Sequence, residues 1–464
     1  MTNWLPDLER FPGPRYAAIA QALAQAISDG ELTSGDRLPP QRDLAWKLGV
    51  TVGTVTRGYS EAERRGLVKG EVGRGTYIRP TGAVENWMMR GGEEDSSGII
   101  DMNFILPTPN SELESFGATL TALGQQPDIL ETLGYQPHIG RRSHREAGSA
   151  WLARSGLAVP AERIALVSGA HHGIVAALAA IARPGERILT EALTYPGLQA
   201  AARLLGLRLE PVAIDEEGLV PEALEAACRN GEARGLYFVP KLQNPTTATM
   251  SEQRRRDVAA VARRHSLPFV EDDLFGLLDA ETPTPVTSLA PELGHYVTSL
   301  SKTVSPGLRI GYVAAPAASM DRLSQAVRST CWMATPLTGE IASRWIGDGT
   351  ADRILVSLRA EAERRRQAAL EVLAPWLPLC PLGSLHLWLK LPEPWRAGEF
   401  AAEALARGVR LTPSDTFAVG RTAELQAVRI GLGSPRGSQA LEQGLNSIAQ
   451  ILREGPKQPY SGIM

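Results

Sequence analysis

The chain has 464 residues, a formal net charge of −3 and 43% hydrophobic residues. That length exceeds one ordinary domain, and the near-neutral charge excludes a globally basic nucleic-acid binder, so any DNA contact must come from a locally basic surface. Cys228, Cys331 and Cys380 are too widely spaced for a metal motif, and neither a secretory leader pattern nor an apolar run of bilayer length is read; together these point to reduced thiols in a cytoplasmic protein.

Taken in chain order, Ile19, Leu23, Ala26 and Ile27 recur at helical spacing, and Gly30 closes a helix that begins at Arg15. The turn-rich stretch from Leu32 to Pro40 leads into two short amphipathic helices, Gln41 to Leu48 and Val52 to Arg65. Gly49-Val50-Thr51 separates them, which is the signature of a helix-turn-helix. After Gly66-Leu67-Val68, the alternating stretch to Gly73-Arg74-Gly75-Thr76-Tyr77-Ile78 predicts a β-hairpin wing. Arg42, Lys47, Arg57, Arg64, Arg65, Lys69, Arg74 and Arg79 outnumber Asp43, Glu61, Glu63 and Glu71 here, the local excess that attraction to phosphates requires. The second helix opens with Thr51-Val52-Gly53-Thr54-Val55-Thr56-Arg57, whose Thr and Arg side chains can hydrogen-bond base edges; a solvated amphipathic helix is the plainer alternative.

Residues 81–98, with Gly82, Gly91, Gly92, Glu93, Glu94 and Asp95, read as a flexible acidic linker in which Trp87 and Met88 are possible anchors. The expected layout is a DNA-binding domain over 1–80, the linker, and a large domain over 99–464. In the latter, strands are expected at Ile164–Val167, Arg187–Thr190, Leu236–Val239 and Pro268–Glu271. Helices are expected at Gly173–Ala182, Leu198–Leu205 and Glu252–His265. Such alternation predicts an α/β domain with a mainly parallel sheet, and Ser384–Leu391 and Ala427–Leu432 predict strands of a smaller C-terminal subdomain.

Ser299-Leu300-Ser301-Lys302, followed by Arg309 in a Gly/Pro-rich turn, suits a cofactor that carries both an aldehyde and a phosphate, pyridoxal 5′-phosphate (PLP). The lysine amine forms a Schiff base, while the hydroxyls and the guanidinium hold the phosphate. Glu271-Asp272-Asp273 ends an apolar strand, at the edge where α/β folds place ligands. Ser168-Gly169-Ala170-His171-His172-Gly173 opens a helix after a strand, where amide groups and the helix dipole favour phosphate; zinc is not expected at the His-His pair.

Two motif sets then resemble known families. Leu38-Pro-Pro-Gln-Arg42-Asp-Leu-Ala45, Leu48-Gly-Val, Thr54-Val55, Arg65-Gly66-Leu67 and Gly73-Arg74-Gly75-Thr76 resemble the GntR-family winged helix. That resemblance implies DNA contacts at Arg42, Thr51, Gly53, Thr54, Arg57, Arg74 and Gly75, with Val52 standing where a polar residue is usual. From about Asp101 the chain resembles fold-type I aminotransferases of the class I/II group. This implies that Lys302 forms the internal aldimine and Asp272 pairs with the pyridinium nitrogen, a role for Asp273 or Glu271 if the register shifts by one. Asn244, in Gln243-Asn244-Pro245-Thr246, would bond the ring 3-hydroxyl oxygen, and Tyr195 would stack on the ring. Ala170, His171, Ser299, Ser301 and Arg309 would surround the phosphate, Tyr135 would reach the phosphate of the neighbouring subunit, and Arg429 would grip an effector or substrate carboxylate.

Three departures weigh against rapid transamination: Leu274-Phe275 where many relatives have a tyrosine, Thr247 where a glycine is usual, and no glycine in the segment Met102–Pro107. The order of the two modules resembles the MocR/GabR subfamily of bacterial transcription regulators. It implies a cytoplasmic head-to-tail homodimer that binds double-stranded operator DNA and responds to PLP with a small amine or amino-acid effector. A working PLP-dependent aminotransferase is the alternative, and a protein-interaction role for the N-terminal domain is a third reading.

Overall fold

The computed structural model describes residues 4–11, 13–29, 31–32, 36–64, 67–71, 75–78, 98–107, 113–229, 231–281, 283–377, 380–420 and 425–456. The wing tip with Gly73 and Arg74, Arg65, Gly66, Arg79 and the stretch with Trp87 and Met88 lie outside the described residues, as do the side chains of Arg64, Lys69 and Glu71. The chain divides into two compact units, Met1–Glu93 and Glu94–Met464.

In the first unit, helices α1 (Arg15–Ser28), α2 (Gln41–Leu48) and α3 (Val52–Arg64) precede a hairpin of β1 (Val68–Glu71) and β2 (Gly75–Ile78). The strands pair antiparallel, Val68 opposite Ile78. Ile19, Leu23, Leu44, Val55, Tyr59, Val68 and Ile78 form its core. Two glycines set the geometry. Gly49 caps α2 in the left-handed conformation (φ 63°), which an L side chain rarely adopts. A Cβ on Gly58 would lie 2.9 Å from Ile19 Cβ and 3.1 Å from the Tyr16 carbonyl oxygen, so α1 and α3 cross closely only because that side chain is missing.

The second unit is built on a seven-stranded sheet. Its strands are β3 (Ile164–Val167), β4 (Arg187–Glu191), β5 (Arg208–Val212), β6 (Ala233–Phe238), β7 (Phe269–Asp272), β8 (Gly294–Ser299) and β9 (Gly311–Ala314). They lie in the order β3-β9-β8-β7-β6-β4-β5, and only β9 runs antiparallel to its neighbours. Helices α4 (Ala170–Ile181), α5 (Pro196–Leu204) and α6 (Glu252–Arg264) are among those covering it. Alternate strand residues serve opposite faces. Tyr237 and Val270 pack with Ala176, Ala177 and Leu178 of α4, whereas Leu236, Phe238 and Phe269 pack with Val258 and Ala262 of α6. Both faces are covered, which is why these strands read as continuous apolar runs.

The C-terminal subdomain carries the long α7 (Thr350–Leu373), the strands β10 (His386–Lys390), β11 (Thr412–Pro413) and β12 (Ala427–Gly431), and α8 (Gly437–Glu454). The strands form an antiparallel sheet with β12 in the middle. One face buries Leu387, Leu389, Val428 and Ile430 against Leu445 and Ile448 of α8; the other carries Trp388 and Arg429, which stand opposite each other in the ladder. No helix among the described residues is long and apolar enough to cross a membrane.

Candidate cofactor site

The candidate residues collect at one edge of the large sheet. Asp272 is the last residue of β7, Lys302 follows β8, Asn244 lies in the turn beyond β6, Tyr195 caps α5 beyond β4, and Ser168 to His171 lead from β3 into α4. These are all carboxyl ends of parallel strands. Because β9 runs the other way, Arg309 enters it from the same edge.

Asp272 is buried, and its Oδ2 accepts from the Tyr237 hydroxyl at 2.6 Å. Its Oδ1 is buried without a hydrogen-bond partner. Burial, with the charge of Asp273 adding to it, pushes the carboxyl up to about 7, against the pull of Tyr237 and the Leu274 amide. Asp273 instead accepts from Tyr296 at 2.6 Å, and Glu271 from Thr287 at 2.7 Å and the Val286 amide at 2.9 Å. Those bonds engage both oxygens of Glu271 and one of Asp273, whose Oδ1, like that of Asp272, is buried without a hydrogen-bond partner.

The Lys302 amine is enclosed and donates to the Ile105 carbonyl. Burial first, then the charges of Arg429 and Arg309, lower its pKa to about 8. Arg429 is fully buried; its guanidinium donates to Asn244 Oδ1 at 2.8 Å and to the Asn103 carbonyl, and stacks 4.8 Å from the Phe417 ring centroid. Burial brings its pKa down to about 9 while the nearby Tyr195 opposes the shift, so it remains a cation at neutral pH. The Tyr195 ring lies over Gly197, where a Cβ would come within 2.3 Å of it; burial raises the Tyr195 phenol to about 12.

At the other end, Ser299 Oγ donates to the Ile310 carbonyl at 3.0 Å and lies 2.8 Å from Ser301 Oγ. Arg309 adopts the left-handed conformation (φ 53°), and its guanidinium donates to the Ser168 carbonyl at 3.2 Å. It passes directly over Gly169, where a Cβ would sit 2.7 Å from Nη2. Gly169 (φ 86°) then turns the chain into α4, so the first amides of that helix stand beside the arginine. Ala170 and His171 occupy this helix start; burial and Arg309 keep His171 below its usual pKa. His172 is held by the Ser168 amide at 3.0 Å and Thr330 at 2.7 Å, and no metal-holding cluster occurs among the described residues.

Several contributors carry no sequence signal. Asn103 and Ile105 act through backbone carbonyls. Their segment is pinned by close crossings: a Cβ on Gly431 would meet the Phe104 oxygen at 2.1 Å. Tyr237 is a core tyrosine by pattern, and His386 is one histidine in an apolar strand. The departures also have local explanations. Phe275 is buried with its ring 5.9 Å from that of His386, and Thr247 holds a left-handed φ of 63°, a strained position for a β-branched residue. Tyr135 stands apart, 84% exposed and tilted against Trp332 at 5.9 Å.

Among the residues expected to meet DNA, Arg42, Thr51, Gly53 and Arg57 are exposed. Thr51 Oγ1 accepts from the Thr54 amide at 3.2 Å, capping the start of α3, and lies 2.9 Å from Thr54 Oγ1. Arg57 rests 4.3 Å from the Tyr16 ring centroid. Gly75 leaves the space that the Arg37 guanidinium fills, 2.8 Å from where a Cβ would be.

Residues 118–445 match the model for aminotransferase class I and II, and residues 15–78 match that for bacterial regulatory proteins of the gntR family. The chain belongs to the class I and II aminotransferases. A Bacillus subtilis (strain 168) protein, described as the uncharacterized HTH-type transcriptional regulator YdeF, is 30% identical over 97% of both chains. The vitamin B6 salvage pathway transcriptional repressor PtsJ of Salmonella typhimurium is 27% identical over 85% of this chain and 93% of its own. Among solved structures, an archaeal alanine:glyoxylate aminotransferase has the same fold, with a TM-score of 0.74 at 22% identity, covering 85% of this chain and 99% of that one.

A gntR-type head on an aminotransferase body makes this a PLP-dependent transcription regulator of the MocR/GabR type. The aminotransferase site fits PLP. Asp272 Oδ1 is a buried acceptor suited to a ring N–H, Lys302 a deprotonatable amine, and Arg309 with the α4 amides an anion cradle. When bound, that cofactor supplies an electron-accepting ring and an aldehyde.

The raised Asp272 pKa has a testable consequence. A carboxyl held near 7 when folded and near 3.8 when unfolded contributes its stability below pH 4 and loses it as the pH rises through 7. Asp272→Asn removes the buried charge while leaving an acceptor for Tyr237. Without cofactor, the variant is expected to be more stable than wild type at pH 8, by on the order of 4 kcal/mol, and little different at pH 4. Urea unfolding at the two pH values measures the difference.

Proposed function

We propose that the protein is a cytoplasmic regulator that binds double-stranded operator DNA through its N-terminal unit and senses PLP together with a small amine or amino acid. The cofactor attaches covalently at Lys302, Arg429 takes the effector carboxylate, and Arg42, Thr51, Gly53, Thr54, Arg57, Arg74 and Gly75 face the DNA. The observation that carries this reading is the fully buried Arg429 cation beside Lys302. A guanidinium held there by Asn244 and the Asn103 carbonyl presents a planar fork that a carboxylate meets through two parallel hydrogen bonds. A homodimer is supported by the exposed apolar side chains of Leu130, Leu133 and Tyr135, close in sequence, and of Trp332, which packs on Tyr135. In a head-to-tail pair, Tyr135 would serve the site of the other subunit.

The retained Lys302, Asp272, Asn244 and Arg429 also favour a second reading, a working aminotransferase. One experiment separates them. The PLP-loaded protein is titrated with a panel of amino acids and amines while its visible absorption, keto-acid release and affinity for duplex DNA are followed. A compound that changes the absorption and the DNA affinity without repeated keto-acid release supports the regulator. Sustained turnover with a keto-acid acceptor supports the enzyme. DNA affinity should fall with salt, with a log–log slope of about −0.9 per phosphate contacted; salt-independent binding would argue for a protein-interaction domain instead.

A further inference from the structure

In the antiparallel ladder between β10 and β12, Trp388 stands opposite Arg429 and His386 opposite Gly431. Cross-strand partners share a face, as do residues two apart, so His386, Trp388 and Arg429 lie on one face of this sheet. Leu387, Val428 and Ile430 are on the other, in the apolar core. Gly431 adds no side chain beside the imidazole. His386 is fully buried, its ring 5.9 Å from Phe275.

Its Nε2 lies 3.3 Å from the Gln243 carbonyl oxygen, one residue before the Asn244 that holds Arg429. A carbonyl only accepts, so Nε2 bears the proton and Nδ1 is a bare acceptor. That Nδ1 is buried and has no hydrogen-bond partner. Burial, with Arg429 and Lys302 close by, keeps the ring neutral, its pKa down at about 3 despite the Gln243 and Pro245 carbonyls. A buried acceptor with no donor is costly, and a ligand that supplies the donor recovers that cost. The donor should be neutral, because an ammonium would meet the Arg429 cation.

We propose that His386 selects the effector, its Nδ1 accepting a hydrogen bond from a hydroxyl or carboxamide on the side chain of an amino acid. This rests on the reading of the pocket as a PLP and carboxylate site. The test uses the full-length, PLP-loaded protein and two matched pairs, L-serine with L-alanine and L-threonine with L-2-aminobutyrate. Each is titrated against the lysine-dependent visible absorption. Wild type is expected to bind the hydroxylated member about tenfold more tightly.

His386→Phe keeps a ring against Phe275 but has no acceptor, and should bring each ratio to about one. His386→Asn places an amide oxygen near the Nδ1 position and should keep part of the preference. Retention of the visible absorption shows that each variant has folded around the cofactor. Equal ratios in wild type and His386→Phe, or a preference lost as fully in His386→Asn as in His386→Phe, would overturn the proposal. Absorption that is missing from wild type would overturn the PLP reading itself, and this inference with it.

Discussion

Lys302→Ala is expected to abolish the lysine-dependent visible absorption of the PLP-loaded protein and to weaken cofactor retention by about two orders of magnitude, roughly 2.7 kcal/mol. Covalent attachment needs a neutral amine. With its pKa at about 8, about a tenth of Lys302 is neutral at pH 7, against less than about a thousandth of a free lysine. The attachment rate should therefore climb with pH and level off above about 8. What remains in the variant is non-covalent: the Asp272 acceptor, Tyr195 and the Arg309 cradle. The same lowered pKa carries a second sign. A lysine depressed from 10.5 to about 8 loses stability as the pH falls through 8, so the cofactor-free alanine variant should exceed wild type in stability at pH 6, with no difference above 10.5. Absorption titration and urea unfolding over this pH range test both halves.

Gly433→Ala is the second large effect, and it is structural. A Cβ at this position would stand 1.5 Å from the Leu106 carbonyl oxygen and 2.7 Å from its carbon. The obstacle is backbone, which cannot rotate away as a side chain does, so the segment crossing there must shift. A loss of about 3 kcal/mol is expected, at the upper end of overpacking costs. Gly437→Ala supplies a reference: Gly437 has a positive φ of 77°, which Gly433 does not share, and nothing lies within 4 Å of its Cβ position. It should cost only the left-handed penalty, about 1 kcal/mol. Since Gly433 carries no left-handed penalty, its whole loss reports the crossing, and a loss no larger than that of Gly437→Ala would mean that the crossing is easily relieved. Displacing the segment also moves the Asn103 and Ile105 carbonyls, so the visible absorption of the loaded Gly433→Ala protein should shift as well.

The sheet was legible because its strands are buried on both faces. Ile164–Val167 needs no partner to be read as a strand, and Phe269–Asp272 differs from expectation by one residue at each end. Boundaries moved where polar residues interrupt an apolar pattern. The strand expected from Leu236 begins at Ala233, because the exposed Arg234 and the side-chain-free Gly235 break its apolar run; Gly235 is there because a Cβ would lie 2.7 Å from Ile181. The helix expected from Gly173 begins at Ala170: Gly169 turns the chain, and His171 and His172 hide the first helical turn. That Lys302, Asp272 and Arg309 gather at one sheet edge was legible because each is a side chain with a recognisable chemistry beside a strand end. Asn103 and Ile105 were not, since every residue has a carbonyl. His386 was hidden for a different reason. Its place beside Arg429 depends on the pairing of two strands far apart in the chain, and Leu385-His386-Leu387 reads only as buried strand.

Residues 100 to 106 are tied down along most of their length. The Ile100 amide donates to Gly408, the Met102 amide to Arg410, and the Gly431 amide to the Met102 carbonyl, while Ser434 Oγ donates to Phe104. The same few residues receive Lys302 and Arg429. Mechanically, this is a strap fastened to the C-terminal subdomain at several points and to the lysine loop at one. The subdomain cannot tilt without dragging the strap across the lysine. Subdomain tilt and the position of the Lys302 amine thus become one coordinate.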